Sequence, residues 1–548
     1  MKKIVRRINI ITCLLGLVAA IGCFDQITML PSVFHSNTVY AATTLTSDDG
    51  LWTFTADGKI QNYLGTDTQV TIPAQLTSNS VTYDITEIPW TALSWNTSIT
   101  QVNIGSNISK IDNSCFIKMT SLVSIEVSDD NPNYCDIDGI LYNKAQTKLL
   151  RLPQMNTCNT LNLPDGFTES SINGIETCPN IHIIKIPASY TGKSSYTGDP
   201  LEKISFPNLE AVEVLPGNTF FSSENGVLYN LDKTVLLWYP QKKAATDFTI
   251  PNSVTTIGTY SFTNVSLLQN LNLTANIETI DASAFRGCQI TSINNITTRA
   301  DYVNWTPAIK SVFQDNIYAF EDVPVAISLV EQEVQYAVDT YIEDGMNDYQ
   351  KIKALYTYVV NKVAYTSGET SDMKNHCISS IFLGDTTVCE GYALGMSLLL
   401  DKVGITNCPV SGSNHAWVVV QLNGIWLEID PTWDDCGSYA GTTYFLKTAQ
   451  EYSSIHPAYV DLCNNSFTKY SFGVNKSMYA VNLPICDTII GDLNHDGELT
   501  QYDLNCMADE VRGYAMYSIE GYYNVLADMN RDGAINTDDY NLLYDLVY

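Results

Sequence analysis

The chain has 548 residues and, with 29 Lys and Arg against 59 Asp and Glu, a formal net charge of −30. At about 100–200 residues per domain, this length predicts three or four folded units. A hydrophobic fraction of 45% argues against wholesale disorder. The acidic excess argues against nucleic acid as a partner, because a phosphate backbone requires clustered Lys and Arg. It favours a solvated surface and sites for divalent cations.

The N-terminal segment, 1–41, has the pattern of an export signal. Four basic residues precede an apolar, uncharged stretch at 8–24, and small residues around Ala41 suit cleavage. The stretch is short for a membrane anchor, and no later segment reaches about 18 apolar residues. A lipid anchor at Cys23 is the alternative, because 20–23 resembles a lipoprotein cleavage box. We predict a signal peptide at 1–41, a secreted, extracellular protein and no membrane span.

The first half of the chain is repetitive, with a period of about 23 residues. Two apolar residues lie three positions apart, and a third follows five residues after the second. Each coil is too small to bury its own apolar face, so neighbouring coils must stack into a solenoid. The sets are Ile85, Ile88 and Leu93; Ile108, Ile111 and Phe116; Val254, Ile257 and Phe262; and Ile277, Ile280 and Phe285.

A longer element occurs twice, at 139–153 and again at 226–240. Its apolar run, Asn-centred turn and second apolar run predict an inserted β-hairpin. The whole pattern resembles the bacterial BspA-type leucine-rich repeat family over about residues 45–300. The resemblance implies short parallel strands along one face and a role in adhesion or protein recognition. A spacer without a ligand of its own is the alternative interpretation.

Beyond residue 304 the hydrophobic pattern becomes helical. Apolar residues spaced three and four apart follow Asp348, which predicts an amphipathic helix. A second such series follows Cys389 as far as Gly404, a residue type that commonly ends helices. Cys389 is therefore predicted at a helix N-terminus, where the partial positive charge favours the thiolate that a sulfur nucleophile needs.

A β-hairpin follows that helix in the sequence. Two strand-like runs flank Asn-Gly at 423–424, which is a strong signal for a two-residue turn. The register that pairs Leu422 with Ile425 places His415 opposite Thr432. The two runs are therefore predicted to be adjacent antiparallel strands.

Asp430 then lies diagonally across from His415, about 7–8 Å away between backbones. An imidazole and a carboxylate can meet across that gap. Asp430 would orient the ring, His415 would take the thiol proton, and Cys389 would attack an acyl carbon.

Three short motifs in this order resemble the transglutaminase-like superfamily, which includes transglutaminases and bacterial cysteine proteases. Over about 325–475, the resemblance implies an α+β, papain-like domain that transfers an acyl group from a protein or peptide amide. It implies Cys389 as the nucleophile, His415 as general base and acid, and Asp430 as the orienting residue. Many secreted bacterial relatives are peptidases, which favours water over a lysine amine as acceptor. The motifs are Cys-Glu-Gly-Tyr-Ala at 389–393, His-Ala-Trp at 415–417 and Asp-Pro-Thr-Trp-Asp-Asp at 430–435.

Two positions depart from the family pattern. Val418 stands where Asn is usual, and 376–380 lacks the aromatic-glycine pattern expected before the nucleophile. The oxyanion donors are therefore unassigned beyond the backbone N–H of Cys389. Trp417 and Trp433 either line an acyl tunnel or belong to the core. An inactive enzyme retained as a peptide-binding fold is the alternative.

The 14 cysteines include no CxxC pair, which argues against a structural zinc site. Twelve of them lie beyond residue 41. If Cys389 is a free thiol, the remaining eleven cannot all pair, and the sequence leaves the disulfides open.

Two loops near the C-terminus, 492–503 and 528–539, have the pattern of EF-hand calcium loops. Oxygen-bearing residues occupy loop positions 1, 3, 5, 9 and 12, Gly occupies position 6, and position 7 contributes its backbone carbonyl. Asp rather than Glu closes each loop. We predict two Ca²⁺ ions here and no cofactor for the catalytic domain. The predicted ligands are Asp492, Asn494, Asp496, Glu498, Thr500 and Asp503, and then Asp528, Asn530, Asp532, Ala534, Asn536 and Asp539.

Two such loops, each followed by one helix (about 502–512 and 539–547), resemble a dockerin over 487–548. A sensor EF-hand pair is the alternative, but the helix that normally precedes each loop is missing. The resemblance implies a cohesin of a scaffoldin as partner, location in a cellulosome, and chelator-sensitive binding. In dockerins, cohesin recognition concentrates on loop positions 10 and 11. The residues at these positions differ between the two loops, which argues against the near-symmetrical binding in two orientations that is known for some dockerins. Those positions are Gln501, Tyr502, Thr537 and Asp538.

The sequence thus predicts a multidomain protein. A parallel-β leucine-rich-repeat solenoid precedes an α+β transglutaminase-like domain and an all-α dockerin with two EF-hand-like calcium loops. The predicted function is a secreted thiol acyl enzyme (cysteine peptidase, amidase or transglutaminase-like) that acts on proteins or peptides. A non-catalytic adhesion or protein-binding component of the cellulosome is the alternative. A carbohydrase is disfavoured because the three modules and the export signal leave no room for a glycosidase domain.

Overall fold

The computed structural model describes most of the chain from residue 43 onward. The predicted signal peptide at 1–41 lies outside the described residues, as do Asn494 and Asp496 of the first predicted calcium loop. The described residues are 43–548 except 113, 171–175, 193–203, 367, 369–371, 413, 423, 436–440, 442, 449–450, 452–459, 462–488, 494–497, 513–525, 531 and 533.

The first part is a solenoid of short, mostly parallel strands. Gln101 pairs with Ser124 and Thr256 with Thr279, so each residue lies beside its equivalent one repeat later, as the sequence period predicts. Strands β1 to β27 are Thr44–Thr46, Trp52–Thr55, Ile60–Tyr63, Gln69–Ile72, Gln75–Ser78, Val81–Asp84, Glu87–Ile88, Gln101–Ile104, Lys110–Ile111, Ser124–Val127, Tyr134–Ile137, Ile140–Asn143, Lys148–Arg151, Thr160–Asn162, Glu169–Ser170, Glu176–Thr177, Ile183–Ile186, Ile204–Ser205, Ala211–Val214, Phe221–Glu224, Val227–Asn230, Val235–Trp238, Asp247–Thr249, Thr256–Ile257, Asn270–Asn272, Thr279–Ile280 and Ser292–Ile293.

Both predicted insertions are present. Strands β12 and β13 pair antiparallel, as do β21 and β22, and β11 and β20 add a further antiparallel strand to each. The Asn side chain shapes each turn in the same way. Asn143 Nδ2 donates to Thr147 Oγ1 (2.9 Å), and Asn230 Nδ2 donates to Thr234 Oγ1 (2.8 Å). The two copies of the longer repeated element therefore form their turns through the same Asn-to-Thr hydrogen bond.

An α+β region follows the solenoid. A four-stranded sheet has the order β32-β31-β30-β33, and β28 pairs parallel with β29. The helices are α1 Arg299–Val303, α2 Pro307–Asp315, α3 Pro324–Tyr341, α4 Asp348–Lys362, α5 Ile378–Leu383 and α6 Cys389–Lys402, with 3-10 turns at Ile317–Phe320 and Met373–Asn375; the strands are β28 Ala364–Tyr365, β29 Thr386–Thr387, β30 Asn407–Gly412, β31 His415–Leu422, β32 Ile425–Ile429 and β33 Val460–Asp461.

The helical segment docks directly onto the last coils of the solenoid. Asn316 Oδ1 accepts the Ile280 N–H (2.8 Å), and Tyr318 donates its hydroxyl to the Ile280 carbonyl (2.7 Å). Phe285 stacks on Phe320 with ring centroids 4.7 Å apart. These contacts satisfy the open edge of the terminal coil, as a repeat array requires at its ends.

Two further helices follow the predicted calcium loops. Helix α7 spans Gln501–Val511 and α8 spans Thr537–Val547, within two residues of the predicted bounds. None of the helices in the described part of the chain combines the length and apolar character that a membrane-spanning segment needs.

The described cysteines include free thiols, as the sequence predicts for Cys389. Cys389 is a free thiol, as a sulfur nucleophile requires, and so are Cys115, Cys288 and Cys506.

Candidate active site

Cys389 is the first residue of α6, as the sequence predicts. The helix ends at Lys402, and Gly404 adopts φ +77° just beyond it. The Cys389 side chain is partly exposed, so the sulfur is accessible. The helix N-terminus places the positive end of the helix dipole at this sulfur, which favours the thiolate.

Close packing fixes the start of α6. A Cβ atom at Gly391 would lie 1.9 Å from Thr387 Oγ1 and 2.7 Å from Ser380 Oγ, so only glycine fits there. These two hydroxyls lie 2.6 Å apart and are fully buried. The glycine of the Cys-Glu-Gly motif therefore lets α6 approach α5 and the strand before Cys389.

His415 bridges Cys389 and Asp430. Its Nε2 lies 2.6 Å from Asp430 Oδ2, and the ring also hydrogen-bonds Cys389. The His415 side chain is 17% exposed and that of Asp430 is fully buried. Because Asp430 engages Nε2, Nδ1 is the nitrogen left to exchange a proton with the sulfur. The structure thus brings the three predicted catalytic residues together.

The charge of His415 follows from these contacts. Burial, the largest single influence, lowers its pKa, but the hydrogen bonds and negative charges of Asp430 and Cys389 raise it to about 9. The ring is therefore an imidazolium at neutral pH. A cation beside a thiol stabilises the thiolate.

The hairpin register agrees with the prediction only near the turn. Leu422 pairs with Ile425 as predicted, but the pairing ends where Val418 lies opposite Ile429. The predicted pairing of His415 with Thr432 is therefore wrong. Pro431 has no N–H for a further rung. Thr432 instead lies in a turn shaped by Asp430.

Asp430 is fixed by its own loop. Its Oδ1 accepts the backbone N–H groups of Thr432 (3.0 Å) and Trp433 (3.3 Å), and its N–H donates to the Tyr444 carbonyl (2.9 Å). The Tyr356 hydroxyl lies 2.8 Å from the Asp430 carbonyl oxygen. Asp430 is therefore held by four separate groups, of which two contact its carboxylate and two contact its main chain.

Asp434, a second buried acid, organises the same loop. Its carboxylate accepts the Thr443 and Tyr444 N–H groups (2.9 Å each) and lies 2.5 Å from the Tyr356 hydroxyl. Burial, the largest influence, raises the pKa of this carboxyl, and the negative charge of Asp430 adds to the rise. The sequence motif contained Asp434 but gave no signal for its partners.

The two tryptophans have different positions. Trp417 is fully buried in a small cluster with Cys408 and Val410, so it belongs to the core. Trp433 is 44% exposed, and its ring centroid lies 5.5 Å from that of His415. Trp433 therefore lines the open side of the site.

His376 and Glu390 form a second pair next to the nucleophile. His376 Nδ1 lies 2.8 Å from Glu390 Oε2, and Glu390 directly follows Cys389 on α6. The segment that departs from the family pattern thus contacts the first turn of α6. Sequence reasoning missed this pair because the two residues belong to separate elements.

The predicted calcium loops have their closing carboxylates buried. Asp503 accepts the Leu493 N–H (2.8 Å) and the Thr500 N–H (2.9 Å). Asp539 accepts the Asn530 N–H (3.1 Å) and the Asn536 N–H (2.9 Å) in the same way. Each loop is thus folded back onto the first turn of its helix.

The position-1 residues, Asp492 and Asp528, are also buried. Within the described residues, however, no three His, Cys, Asp or Glu side chains converge as a metal cluster would require. The donors are the oxygen atoms that Ca²⁺ prefers, and their chemistry fits the ion.

Of the other predicted ligands and contact residues, Asn530, Asp532 and Ala534 lie in the second loop, while Glu498 and Thr500 lie in the first. The Asp532 N–H contacts Asp528 Oδ1 and Asn530 Oδ1. The predicted cohesin-binding residues lie at the starts of α7 and α8, where Tyr502 is 50% exposed. They are Gln501, Tyr502, Thr537 and Asp538.

Comparison with known families matches two parts of the chain. Residues 73–138 and 239–304 match the model of the BspA type leucine rich repeat region, in six copies. Residues 336–431 match that of the transglutaminase-like superfamily and include Cys389, His415 and Asp430. The chain therefore carries leucine-rich repeats and a transglutaminase-like domain.

Several solved structures are similar to parts of the chain. The pneumococcal vaccine antigen PcpA is 19% identical, with 46% of this chain and 70% of that chain covered and a TM-score of 0.30. A leucine rich cell surface protein from Faecalibacterium prausnitzii A2-165 is 18% identical, with coverage of 50% and 80% and a TM-score of 0.28. A TGase is 17% identical, with coverage of 24% and 35% and a TM-score of 0.18. No curated protein matches the chain.

Proposed function

We propose that the protein is a thiol acyl enzyme that acts on protein or peptide amides. The observation that supports it most directly is His415, which hydrogen-bonds both Cys389 and the buried Asp430. A cysteine at a helix N-terminus with an imidazolium beside it has the features of an activated sulfur nucleophile.

The proposed reaction proceeds through Cys389. The thiol proton resides on His415 Nδ1, and the thiolate attacks the amide carbon to form a C–S bond and an oxyanion. The C–N bond then breaks as His415 donates its proton to the leaving amine. Water, or a lysine amine, then attacks the thioester carbon while His415 takes a proton from that nucleophile. The C–S bond breaks, the acyl group leaves as an acid or a new amide, and the sulfur returns as the thiolate beside the protonated ring.

Hydrolysis is the favoured outcome. Trp433, which borders His415, is 44% exposed, so water has access to this side of the site. A peptidase or amidase requires only that access, whereas a transglutaminase must also bind a lysine amine. Both outcomes share the same acyl-enzyme.

The leucine-rich repeats are the proposed protein-binding surface. The match of this region to a leucine-rich-repeat family supports this role. On its strands, Asn270 and Asn272 donate their side-chain amides to Asp247 of the neighbouring coil. A non-catalytic adhesion component is the second candidate, and the repeats support it independently of Cys389. The repeats would then bind a partner while the triad has no reaction to perform.

The C-terminal segment is proposed to be a dockerin that binds two Ca²⁺ ions and a cohesin of a scaffoldin. Its support is the oxygen-rich loop pattern and the buried closing residues Asp503 and Asp539. The protein would then be secreted and associated with a cellulosome. It would contribute to polysaccharide breakdown through its location in that assembly.

The test compares the mature protein with its Cys389→Ala variant. Each is incubated, reduced and with calcium, with a mixed protein substrate and a tagged primary amine, and the products are read by mass spectrometry. New peptide ends made only by the native protein would identify a peptidase, and tagged glutamines would identify a transglutaminase. Identical products from both would contradict the enzyme proposal and favour the binding component.

A further inference from the structure

Tyr365 interacts electrostatically with Cys389 although it belongs to an earlier element of the chain. It ends β28, which pairs parallel with β29, and its partner is Thr387. Neighbouring strands lie about 4.8 Å apart, and Cys389 follows Thr387 by two residues. The register therefore brings the backbone of Tyr365 near the start of α6.

Asp435 holds Tyr365 in this position. Its Oδ2 accepts the Tyr365 backbone N–H (2.8 Å) and the Tyr392 hydroxyl (2.7 Å). Tyr392 lies in the first turn of α6, three residues after Cys389. One carboxylate thus ties the backbone of Tyr365 to the helix that carries the nucleophile.

The charge of Cys389 also affects the pKa of the Tyr365 phenol. Burial raises the pKa of Tyr365, and the negative charge of Cys389 raises it further. The hydroxyl therefore stays protonated at neutral pH and remains a hydrogen-bond donor. The residue is 41% exposed, so a substrate in solution has access to it.

We propose that the Tyr365 hydroxyl is a catalytic hydrogen-bond donor to the oxyanion that forms when Cys389 attacks a carbonyl carbon. This inference rests on the proposed acyl transfer. Attack moves the carbonyl π electrons onto oxygen, and the Tyr365 O–H stabilises that charge without giving up its proton. The Cys389 N–H supplies the second donor, and Asp435 acts as a positioning residue.

Two reagents distinguish stabilisation of the oxyanion by Tyr365 from a general effect of Tyr365 on the reactivity of the Cys389 thiol. p-Nitrophenyl acetate acylates a thiolate through a tetrahedral oxyanion, whereas iodoacetamide alkylates it by displacing iodide, with no oxyanion. Removing one oxyanion donor typically costs about 100–1,000-fold in rate. Tyr365→Phe should therefore slow the acylation of Cys389 about 100-fold and leave its alkylation within about twofold.

Both rates are read at Cys389 by peptide mass spectrometry on the full-length mature protein, with folding checked by circular dichroism. Tyr260→Phe is the matched control, because Tyr260 is 46% exposed in the solenoid, and both rates should stay unchanged. Asp435→Asn should slow acylation more than alkylation, since it loosens Tyr365. Equal loss of both rates in Tyr365→Phe, or loss of neither, would overturn the assignment.

The outcomes for Tyr365 and for the proposed function are distinct. If native Cys389 acylates and Tyr365→Phe acylates as fast, only the Tyr365 role fails. If Cys389 in the native protein forms no acyl adduct at all, the thiol-enzyme proposal fails and the Tyr365 role fails with it.

Discussion

At the scale of single residues, the site is defined by how one imidazole is held. Asp430 is fully buried and fixes the His415 ring through Nε2 at 2.6 Å. Two negative partners then outweigh burial and raise the pKa of His415 to about 9. The charged ring lies beside the sulfur, and a neighbouring cation favours the thiolate that the proposed reaction needs.

Asp430→Asn tests this electrostatic arrangement. It removes the carboxylate charge while keeping the side chain's shape, so the pKa of His415 should fall from about 9 toward its ordinary 6.5. The imidazole resonances followed by NMR titration, assigned with His415→Gln, measure it. Alkylation of Cys389 by iodoacetamide at pH 7 should slow about tenfold or more.

The control for this variant is Glu390→Gln, which changes a carboxylate next to Cys389 that pairs with His376. It should leave the His415 titration near 9. If Asp430→Asn also left the titration near 9, Asp430 would not be the group that determines the charge of His415.

At the scale of elements, one buried acid fixes the start of α5, which packs against α6. Glu321 accepts the Ile378 N–H (3.0 Å) and the Ser379 hydroxyl (2.7 Å), so it satisfies the N-terminus of that helix. Burial raises its pKa to about 7, despite these hydrogen bonds, which lower it. The acid therefore titrates in the folded protein near neutral pH.

Glu321 makes stability depend on pH. Because its folded-state pKa is raised from 4.5 to about 7, the folded protein holds a proton there that the unfolded chain has lost. This contribution is fully present below pH 4.5 and is lost as pH rises through 7. At pH 8 the isosteric Glu321→Gln variant should therefore be more stable than the native protein, by up to about 3 kcal/mol.

Urea denaturation at pH 5 and pH 8, followed by near-ultraviolet circular dichroism, measures this difference. Glu331→Gln is the control, because Glu331 is exposed on α3, and it should change stability little at either pH. A Glu321→Gln variant that is equally destabilised at both pH values would show that the carboxylate is ionised throughout.

Local patterns predicted much of this site, and long-range contacts did not follow from them. The helix start at Cys389 and the pairing of Leu422 with Ile425 both follow from periodicity and turn chemistry. The contacts of Tyr365 and Glu321 join residues far apart in the sequence, such as Glu321 with Ile378 and Tyr365 with Asp435. Nothing in a single sequence records such pairs, because they depend on how the elements pack.

At the scale of the whole molecule, one chain carries a repeat array, a transglutaminase-like domain and a segment with two predicted calcium loops. The array docks on the helical region through Asn316 and Tyr318, so the two are joined by more than a linker. The sequence period predicted the coil spacing, since each coil repeats the same local geometry. The contacts between the array and the helical region occur only once, so no repeat in the sequence could predict them.

Calcium titration tests the C-terminal segment. The full-length mature protein should bind two Ca²⁺ ions by isothermal titration calorimetry, and Asp503→Ala and Asp539→Ala should each remove one. Asp545→Ala, at an exposed position of α8, should keep both. Absence of calcium binding by the native protein would contradict the proposed loops and the chelator-sensitive dockerin with them.

The central claim is that Cys389 is the activated nucleophile, and the most direct measurement is its acyl adduct. The native protein and His415→Gln are mixed with p-nitrophenyl acetate at pH 7, quenched in acid and mapped by peptide mass spectrometry. We expect the acetyl group on Cys389 far ahead of the other eight described cysteines, and its loss in the variant. Acetylation spread evenly over the cysteines, or unchanged in His415→Gln, would contradict the account.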